Sequence, residues 1–363
     1  MGIKYLNRYL TNHCSANAIS KRALGDFRNK VFVIDASIYL YRFAETNTLI
    51  EGFYNMISIF KKYRITPLFI FDGKPPIEKK DLLEKRKVEK RHAEKIYNEL
   101  KTQLNIISKN AETKPIDNTE IREKKQEILN EMETLKKRFI RIKPRDIQVV
   151  KDLMTAYGTL FIESFGEADQ LCAYLVKQNL AWACVSDDMD MFLYGCPRVI
   201  RHISLVNHTG ILYDTQCILD ELKLTYESFR DITILSGTDY NIHQKMHLYD
   251  IMKWYNVFLE ETVKNARHEV VGIRGITGDG LASKVILPED NHLHFYDWLS
   301  DNTNIVVEKS RIDKIREMFN LDEYKRTNEI YLKQIDTMSF RNREVIKPAL
   351  VDLLESDGFI FVV

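Results

Sequence analysis

The sequence predicts an α/β fold built on a mostly parallel sheet. Two observations predict it: four short runs rich in β-branched and aromatic residues, and the amphipathic or charged helical stretches that lie between them. Strand–helix–strand order of this kind produces a sheet covered on both faces. At 363 residues and 45% hydrophobic, the chain is long enough for a large core, in one elaborated domain or two coupled ones.

In chain order, VFVID ends at Asp35, PLFIFD ends at Asp72, TLFIES precedes Gly166, and AWACVSDD ends at Asp188. Each reads as a buried strand. Between the second and third lies a stretch from Pro76 to about Pro144 that is too charged for a core. From Lys79 to Lys95, eight Lys and Arg stand against four Asp and Glu. Lys/Glu-rich helix continues to Phe139, and KPRDIQVVKDLMTAYG returns to an amphipathic pattern. The stretch reads as a helical insertion projecting from the sheet. After Asp190 come the apolar run MFLYG and a strand, RVIRHISLV; from Asp220 helices alternate to the end. No repeat or Pro/Ser-rich linker is present, so the helical part is expected to pack on the sheet.

Composition excludes several classes. Lys and Arg total 53 against 52 Asp and Glu, a net +1, so any electrostatic signal must be local. The cysteines Cys14, Cys172, Cys184, Cys196 and Cys217 form no C-x-x-C pair and no zinc spacing, and read as reduced thiols of an intracellular protein. No run approaches the roughly 18 apolar residues that span a bilayer, and the first ten residues lack the order of a signal peptide. A soluble protein with no membrane partner is expected.

Functional groups of parallel α/β sheets gather beyond the carboxyl ends of strands. Every strand in the series delivers acid there. Asp35 and Asp72 end their strands, Glu167 and Asp169 follow the third near the N–H groups of a new helix, and Asp188 and Asp190 follow the fourth. Asp239, in LSGTDY, is a candidate seventh. Asp187 faces away from its neighbours in SDDMD and reads as structural. A single Asp at a strand end is most often a helix cap. Six or seven carboxylates converging on one edge, however, would repel one another by several kcal/mol unless a cation sat among them. Oxygen-only ligands favour Mg²⁺ or Mn²⁺, and this many suit two ions. Two such ions about 4 Å apart activate a water and stabilise the leaving oxygen of a phosphodiester.

Lys79, Arg86 and Lys90 fall near i, i+7 and i+11, one stripe of a helix. That stripe is either a solvated face or a line of phosphate contacts. Tyr41, in the helix after Asp35, either packs in the core or stacks on a base.

The acids and Tyr41 lie within a series of six blocks that together resemble the flap endonuclease/RAD2/XPG family of structure-specific 5′ nucleases. The blocks are MGIKYL, VIDASIYLYRF, FIFDGKPP, ESFGEADQLCAYL, SDDMDMFLYG and LSGTDYN. The resemblance implies a PIN-like nuclease core with a helical arch and a helical C-terminal region. The expected regions are an N-terminal nuclease region at 1–95, a charged arch at 77–145, an internal nuclease region at 146–241 and a mostly helical region at 242–363. It implies two Mg²⁺ per subunit, with Mn²⁺ as substitute. Asp35, Asp72, Glu167 and Asp169 would serve the first ion, and Asp188, Asp190 and Asp239 the second. It further implies Lys79 and Arg86 as the catalytic basic pair, Lys90 as a phosphate contact, Tyr41 as the base-stacking tyrosine and Gly2 as the amino-terminal residue near the site. The implied partner is branched or flapped DNA.

Two departures stand beside the match. NIHQKMHLYDIMKWYNVFLEE follows Asp239 without the glycines of the family's helix-hairpin-helix. A similar string, GIRGITGDGLASK, comes only at Gly272 to Lys284, either as a displaced hairpin or as a surface loop. The ending, LLESDGFIFVV, shows no sliding-clamp motif and no basic import tail. The expectation is a monomeric, compact enzyme, in keeping with a viral member, acting in a nucleus (the host's, if viral) or at an intracellular replication site, in DNA replication, repair or recombination. The alternatives are a bubble- or Holliday-junction-cutting member and a non-catalytic binder of branched DNA.

Overall fold

The computed structural model describes residues 3–113, 119–241, 246–273, 291–303, 305 and 307–361. Helix α1 (Leu6–His13) and strand β1 (Ile19–Ala23) lead through a 3₁₀ turn (Leu24–Phe27) to β2 (Val31–Asp35), α2 (Ala36–Glu45), α3 (Leu49–Lys62) and β3 (Thr66–Phe71). A second 3₁₀ turn (Ile77–Lys79) opens into α4 (Lys80–Thr113), followed by α5 (Thr119–Arg138), α6 (Pro144–Ala156), β4 (Leu160–Glu163), α7 (Ala168–Lys177) and β5 (Ala183–Val185). A third 3₁₀ turn (Met189–Phe192) precedes β6 (Arg198–Ser204) and β7 (Thr209–Asp214). The helices α8 (Thr215–Leu222), α9 (Tyr226–Ser236), α10 (Leu248–Ile273), α11 (Asn291–Asn302) and α12 (Lys309–Met318) follow. The last are α13 (Leu321–Thr327), α14 (Glu329–Asp336) and α15 (Lys347–Ser356). No helix among the described residues is long and apolar enough to cross a membrane.

The chain forms two compact units. One comprises Leu24–Leu171, Leu205–His208 and Ser339–Val363; the other comprises Met1–Ala23, Cys172–Ser204 and Thr209–Met338. Both units cut across the sequence blocks 1–95 and 146–241.

In the first unit, called arch-bearing after the charged insertion expected to form an arch, β2, β3 and β4 pair in parallel, with Val31 opposite Thr66 and Leu68 opposite Leu160. Phe32, Val33, Ile34, Leu68, Phe69 and Ile70 are fully buried, which explains why these runs read as continuous apolar strands rather than alternating ones. Helix α3 buries Ile50, Phe53, Ile57 and Phe60, spaced by three or four residues along one face, and Phe53 meets Phe69 edge-on at 5.8 Å. Each such ring contributes roughly 1.5–3 kcal/mol of burial. Helices α4 and α5 form the charged insertion. Its base is tied together by Arg141 to Glu94 at 2.6 Å and by the rings of Tyr97 and Phe139 at 5.3 Å. The C-terminal segment returns to this unit, where the N–H groups of Arg343 and Ile346 donate to the carbonyls of Gly158 and Ala156, each at 2.8 Å. Gly158 has φ +66°, and a Cβ there would lie 2.3 Å from the Arg343 carbonyl oxygen. Only glycine fits that turn.

In the second unit, called hairpin-bearing after the antiparallel β6–β7 pair, β1 pairs with β7 and β7 with β6, both antiparallel, while β6 pairs with β5 in parallel. The sheet is therefore mixed. Strand β1, ISKRA, and strand β7, TGILYD, are additions to the expected series. Strand β1 shows no fully buried position, so its sequence carries no apolar signal. Among the helices, Arg316 donates to the buried Asp231 at 2.7 Å and to the Tyr296 hydroxyl at 3.1 Å. Cys172, Cys184 and Cys196 are buried, whereas Cys14 and Cys217 are half-buried.

Candidate active site

The carboxyl ends of β2, β3 and β4 carry acids whose positions are fixed by hydrogen bonds between neighbouring strand ends. Asp35 closes β2 and is buried; its Oδ1 accepts the Ser37 N–H at 3.0 Å, which caps α2. Asp72 directly follows β3. Its Oδ1 accepts the Ala168 N–H at 2.7 Å, at the start of α7, and its Oδ2 accepts the Ser37 hydroxyl. Glu167 and Asp169 flank that same helix start, where the dipole favours negative charge. The loop of Glu167 is stitched to the loop after β3, because Gly73 N–H donates to the Gly166 carbonyl at 2.8 Å and Lys74 N–H to that of Phe165 at 3.2 Å. A Cβ on Gly73 would fall 2.0 Å from the Ser164 carbonyl oxygen, so close apposition demands glycine.

Lys79 enters this group of acids. Its Nζ lies 2.6 Å from Glu167 Oε1, and the two side chains are only 10% and 16% exposed. Lys79 ends the 3₁₀ turn of Ile77–Lys79, one residue ahead of α4, so it is not part of one continuous α-helical stripe with Arg86 and Lys90. The 3₁₀ geometry turns it toward the strand ends. Arg86 and Lys90 are one turn apart on α4. Lys90 Nζ donates to the Ile140 carbonyl at 3.2 Å and sits 5.0 Å over the ring of Tyr41. Burial, then Arg86, then Arg141 lower its pKa. Tyr41 is 43% exposed, so its ring is not a core ring. Arg86, Lys90, Arg138 and His92 line a cavity of about 590 Å³ between α4 and α5.

The hairpin-bearing unit holds the remaining acids. Asp188 caps the 3₁₀ turn Met189–Phe192, its Oδ1 accepting the Asp190 N–H at 3.1 Å, and Asp190 is buried. Asp187 is structural: its Oδ1 accepts the His202 N–H at 2.7 Å. Asp239 lies in a turn after α9 that the fully buried Asn241 organises. Asn241 Oδ1 accepts from the Thr238 N–H at 2.5 Å and the Thr238 hydroxyl at 2.7 Å, and its Nδ2 donates to the Ile234 carbonyl at 2.7 Å. Sequence reasoning missed Ser37 and Asn241 as supports of the acids; DASIYL and GTDYN, each placing a short polar residue two positions after its Asp, were the available signals. Gly2 lies outside the described residues, as does the Gly272–Lys284 string beyond Gly272 and Ile273, which end α10.

The donors suit a hard divalent cation, since Asp35, Asp72, Glu167 and Asp169 in one unit, and Asp188, Asp190 and Asp239 in the other, offer oxygen alone. Among the described residues no group of three or more His, Cys, Asp or Glu is gathered closely enough to hold an ion as it stands. In the first set the Lys79 ammonium is bonded to Glu167 and the Ser37 hydroxyl to Asp72.

Comparison with known proteins places this arrangement. Residues 1–94 match the XPG N-terminal domain, and residues 158–239 match the XPG I-region. The chain belongs to the flap endonuclease/XPG/RAD2 family. Among its relatives, "Flap endonuclease 1" of Methanococcus aeolicus is 30% identical over 237 residues, covering 61% of this chain and 65% of that protein. "Flap endonuclease 1-A" of Sorghum bicolor is 28% identical over 259 residues, covering 66% and 62%. This family member thus spans less than two thirds of the length of those curated relatives. The catalytic core of Rad2 in complex with a DNA substrate superposes with a TM-score of 0.62 at 18% identity, over 98% of this chain and 95% of that one. Human GEN1 in complex with Holliday junction DNA gives 0.54 at 13% identity, over 99% and 74%. At such identities the likeness is one of fold, and it bears out the α/β, PIN-like expectation.

Proposed function

We propose that this chain is a Mg²⁺-dependent, structure-specific DNA endonuclease acting on 5′-flapped or related branched DNA. The observation that carries the reading is the buried Lys79 paired with the strand-end carboxylate of Glu167, next to a helical insertion that presents Arg86 and Lys90, with the Tyr41 ring of α2 5.0 Å from the Lys90 ammonium. Family membership supports it, as does the DNA substrate in the related Rad2 complex.

Asp35, Asp72, Glu167 and Asp169 would hold one Mg²⁺, and Asp188, Asp190 and Asp239 a second, with Mn²⁺ as substitute. When bound, such ions lower the pKa of the attacking water and stabilise the leaving oxygen of a phosphodiester. The chain's own residues bind and orient. Lys79 and Arg86 neutralise the scissile phosphate, Lys90 takes a neighbouring phosphate, and Tyr41 offers a ring to an unstacked base.

The test is cleavage of a labelled 5′-flap duplex in Mg²⁺ by wild type and Asp188→Ala. Loss of one ion's charge stabilisation, several kcal/mol, predicts a fall in rate on the order of 1,000-fold with DNA binding kept. Wild-type cleavage by the variant would remove Asp188 from the site. Tight flap binding by wild type with no product in Mg²⁺ or Mn²⁺ would show a binding protein instead.

A further inference from the structure

We propose that Arg201 is a positioning residue: it clamps the main chain that carries Asp188 and Asp190 and links that turn to helix α1. The inference rests on the nuclease reading only in taking Asp188 and Asp190 as ion ligands.

The device begins with an irregularity in β6. Its register against β7 shifts between Arg201 and Ser204, and His202 there has φ +52°, in the left-handed region. A β-bulge of this kind leaves one residue out of the ladder and re-aims the side chains beside it. Two consequences follow at Asp187. The His202 N–H, turned out of the ladder, donates to Asp187 Oδ1 at 2.7 Å. Arg201, turned inward and 6% exposed, donates from Nη2 to the Asp187 carbonyl at 2.9 Å. The residue immediately before Asp188 is therefore held at both its carboxylate and its carbonyl.

The other end of the guanidinium reaches α1. Nη1 donates to Asn7 Oδ1, which also accepts the Tyr213 hydroxyl at 2.8 Å, and the Arg201 guanidinium lies 5.5 Å over the Tyr213 ring. Burying a guanidinium is unfavourable unless its donors are used in good geometry. Here they bind no carboxylate oxygen of Asp188 or Asp190. Nη2 binds the peptide that leads into them and Nη1 an amide on another element, while Nε has no hydrogen-bond partner; the two bonded ends make the arrangement expected of a group that orients ligands from behind.

The experiment titrates Mn²⁺ into the full chain by electron paramagnetic resonance, with melting temperature and Mg²⁺-dependent cleavage measured in parallel, for wild type, Arg201→Lys, Arg201→Gln and Asn7→Ala. Wild type is expected to bind two ions. In Arg201→Gln one class of ion should weaken on the order of 10- to 100-fold, the range typical of residues that support ligands. Arg201→Lys should recover part of that loss. The Mg²⁺ concentration for half-maximal cleavage should rise while the rate at saturating Mg²⁺ returns to within a few-fold of wild type. Asn7→Ala keeps the Asp187 contacts and should give the same effect in smaller measure, so it reports the linkage even if Arg201→Gln folds poorly. Unchanged Mn²⁺ affinity in the folded variants overturns the inference. So does an activity loss that excess Mg²⁺ does not rescue and that follows melting temperature alone. If wild type binds both ions yet cuts no DNA, the nuclease reading fails and the role of Arg201 stands.

Discussion

The two sets of acids are held in different ways. In the arch-bearing unit the carboxylates are answered from within the chain, by the Lys79 ammonium on Glu167, the Ser37 hydroxyl and Ala168 N–H on Asp72, and the Ser37 N–H on Asp35. In the hairpin-bearing unit the buried cation, Arg201, is spent on Asn7 and on a main-chain carbonyl, and the acids are placed by turns: Asp188 by its own 3₁₀ cap, Asp239 by Asn241. An ion bound to the first set as proposed would have to displace or share that cation. An ion bound to the second would find its scaffolding in place.

The largest expected break in that comparison is Lys79→Ala. If Lys79 neutralises the scissile phosphate as proposed, its removal should slow cleavage on the order of 100- to 1,000-fold. It also removes a positive charge 2.6 Å from a ligand, so divalent ions should bind more tightly to the variant. Without ions, Glu167 is left with its best partner gone and the variant should melt lower than wild type. With saturating Mn²⁺ most of that deficit should be recovered, by linkage of binding to folding. Melting curves with and without Mn²⁺ test this directly. A variant whose ion-induced shift matches that of wild type would mean that Lys79 and the ion do not compete.

A moderate effect is expected on the scaffolded side, at Asn241→Ala. The side chain is fully buried and holds three hydrogen bonds around Asp239, so its truncation should cost about 2–4 kcal/mol, from groups left unsatisfied. Cleavage should fall with loss of ion affinity rather than of DNA affinity. Asn241→Asp keeps the acceptor for Thr238 but sets a carboxylate oxygen against the buried Ile234 carbonyl, so it should cost stability while being milder in the ion titration. Equal losses would assign Asn241 to stability alone.

How legible all this was depends on what each feature needed from afar. Strands β2 and β3 announced themselves because both faces are buried, which leaves an apolar run with acid at its end. Strand β1, ISKRA, did not, because an edge strand with exposed Lys21 and Arg22 looks like a loop. The acids were legible as residue types at strand ends, and Asp187 was separable from Asp188 by alternation alone. The pairing of Lys79 with Glu167, 88 residues apart, was not, since periodicity put Lys79 on a helix stripe while a 3₁₀ turn placed it one residue before that helix. Tyr41 could not be assigned to core or surface from spacing, because its neighbours Tyr39 and Leu40 are buried and only the packing decides which ring turns outward. Arg201 sat unnoticed in an apolar strand, where the bulge that buries it has no sequence marker.

The smallest effect sharpens the comparison through pH. Lys90, near the base of the charged insertion, has its pKa lowered from 10.5, first by burial and then by Arg86 and Arg141. The protein therefore carries a strained charge on this lysine at neutral pH. Below the lowered value Lys90 is protonated in both folded and unfolded chains, and the full cost of burying the charge is present. Between the lowered value and 10.5 the unfolded chain binds more protons, so stability rises with pH across that window. Melting of wild type against Lys90→Met, from neutral pH toward 10.5, should show wild type gaining on the variant as pH rises. Arg201→Lys, which puts a titratable amine where the guanidinium was, should create a similar pH dependence in the other unit. Parallel curves for wild type and Lys90→Met would show that the buried stem of Lys90, rather than its charge, governs its contribution, and would leave the ring of Tyr41 as its main partner.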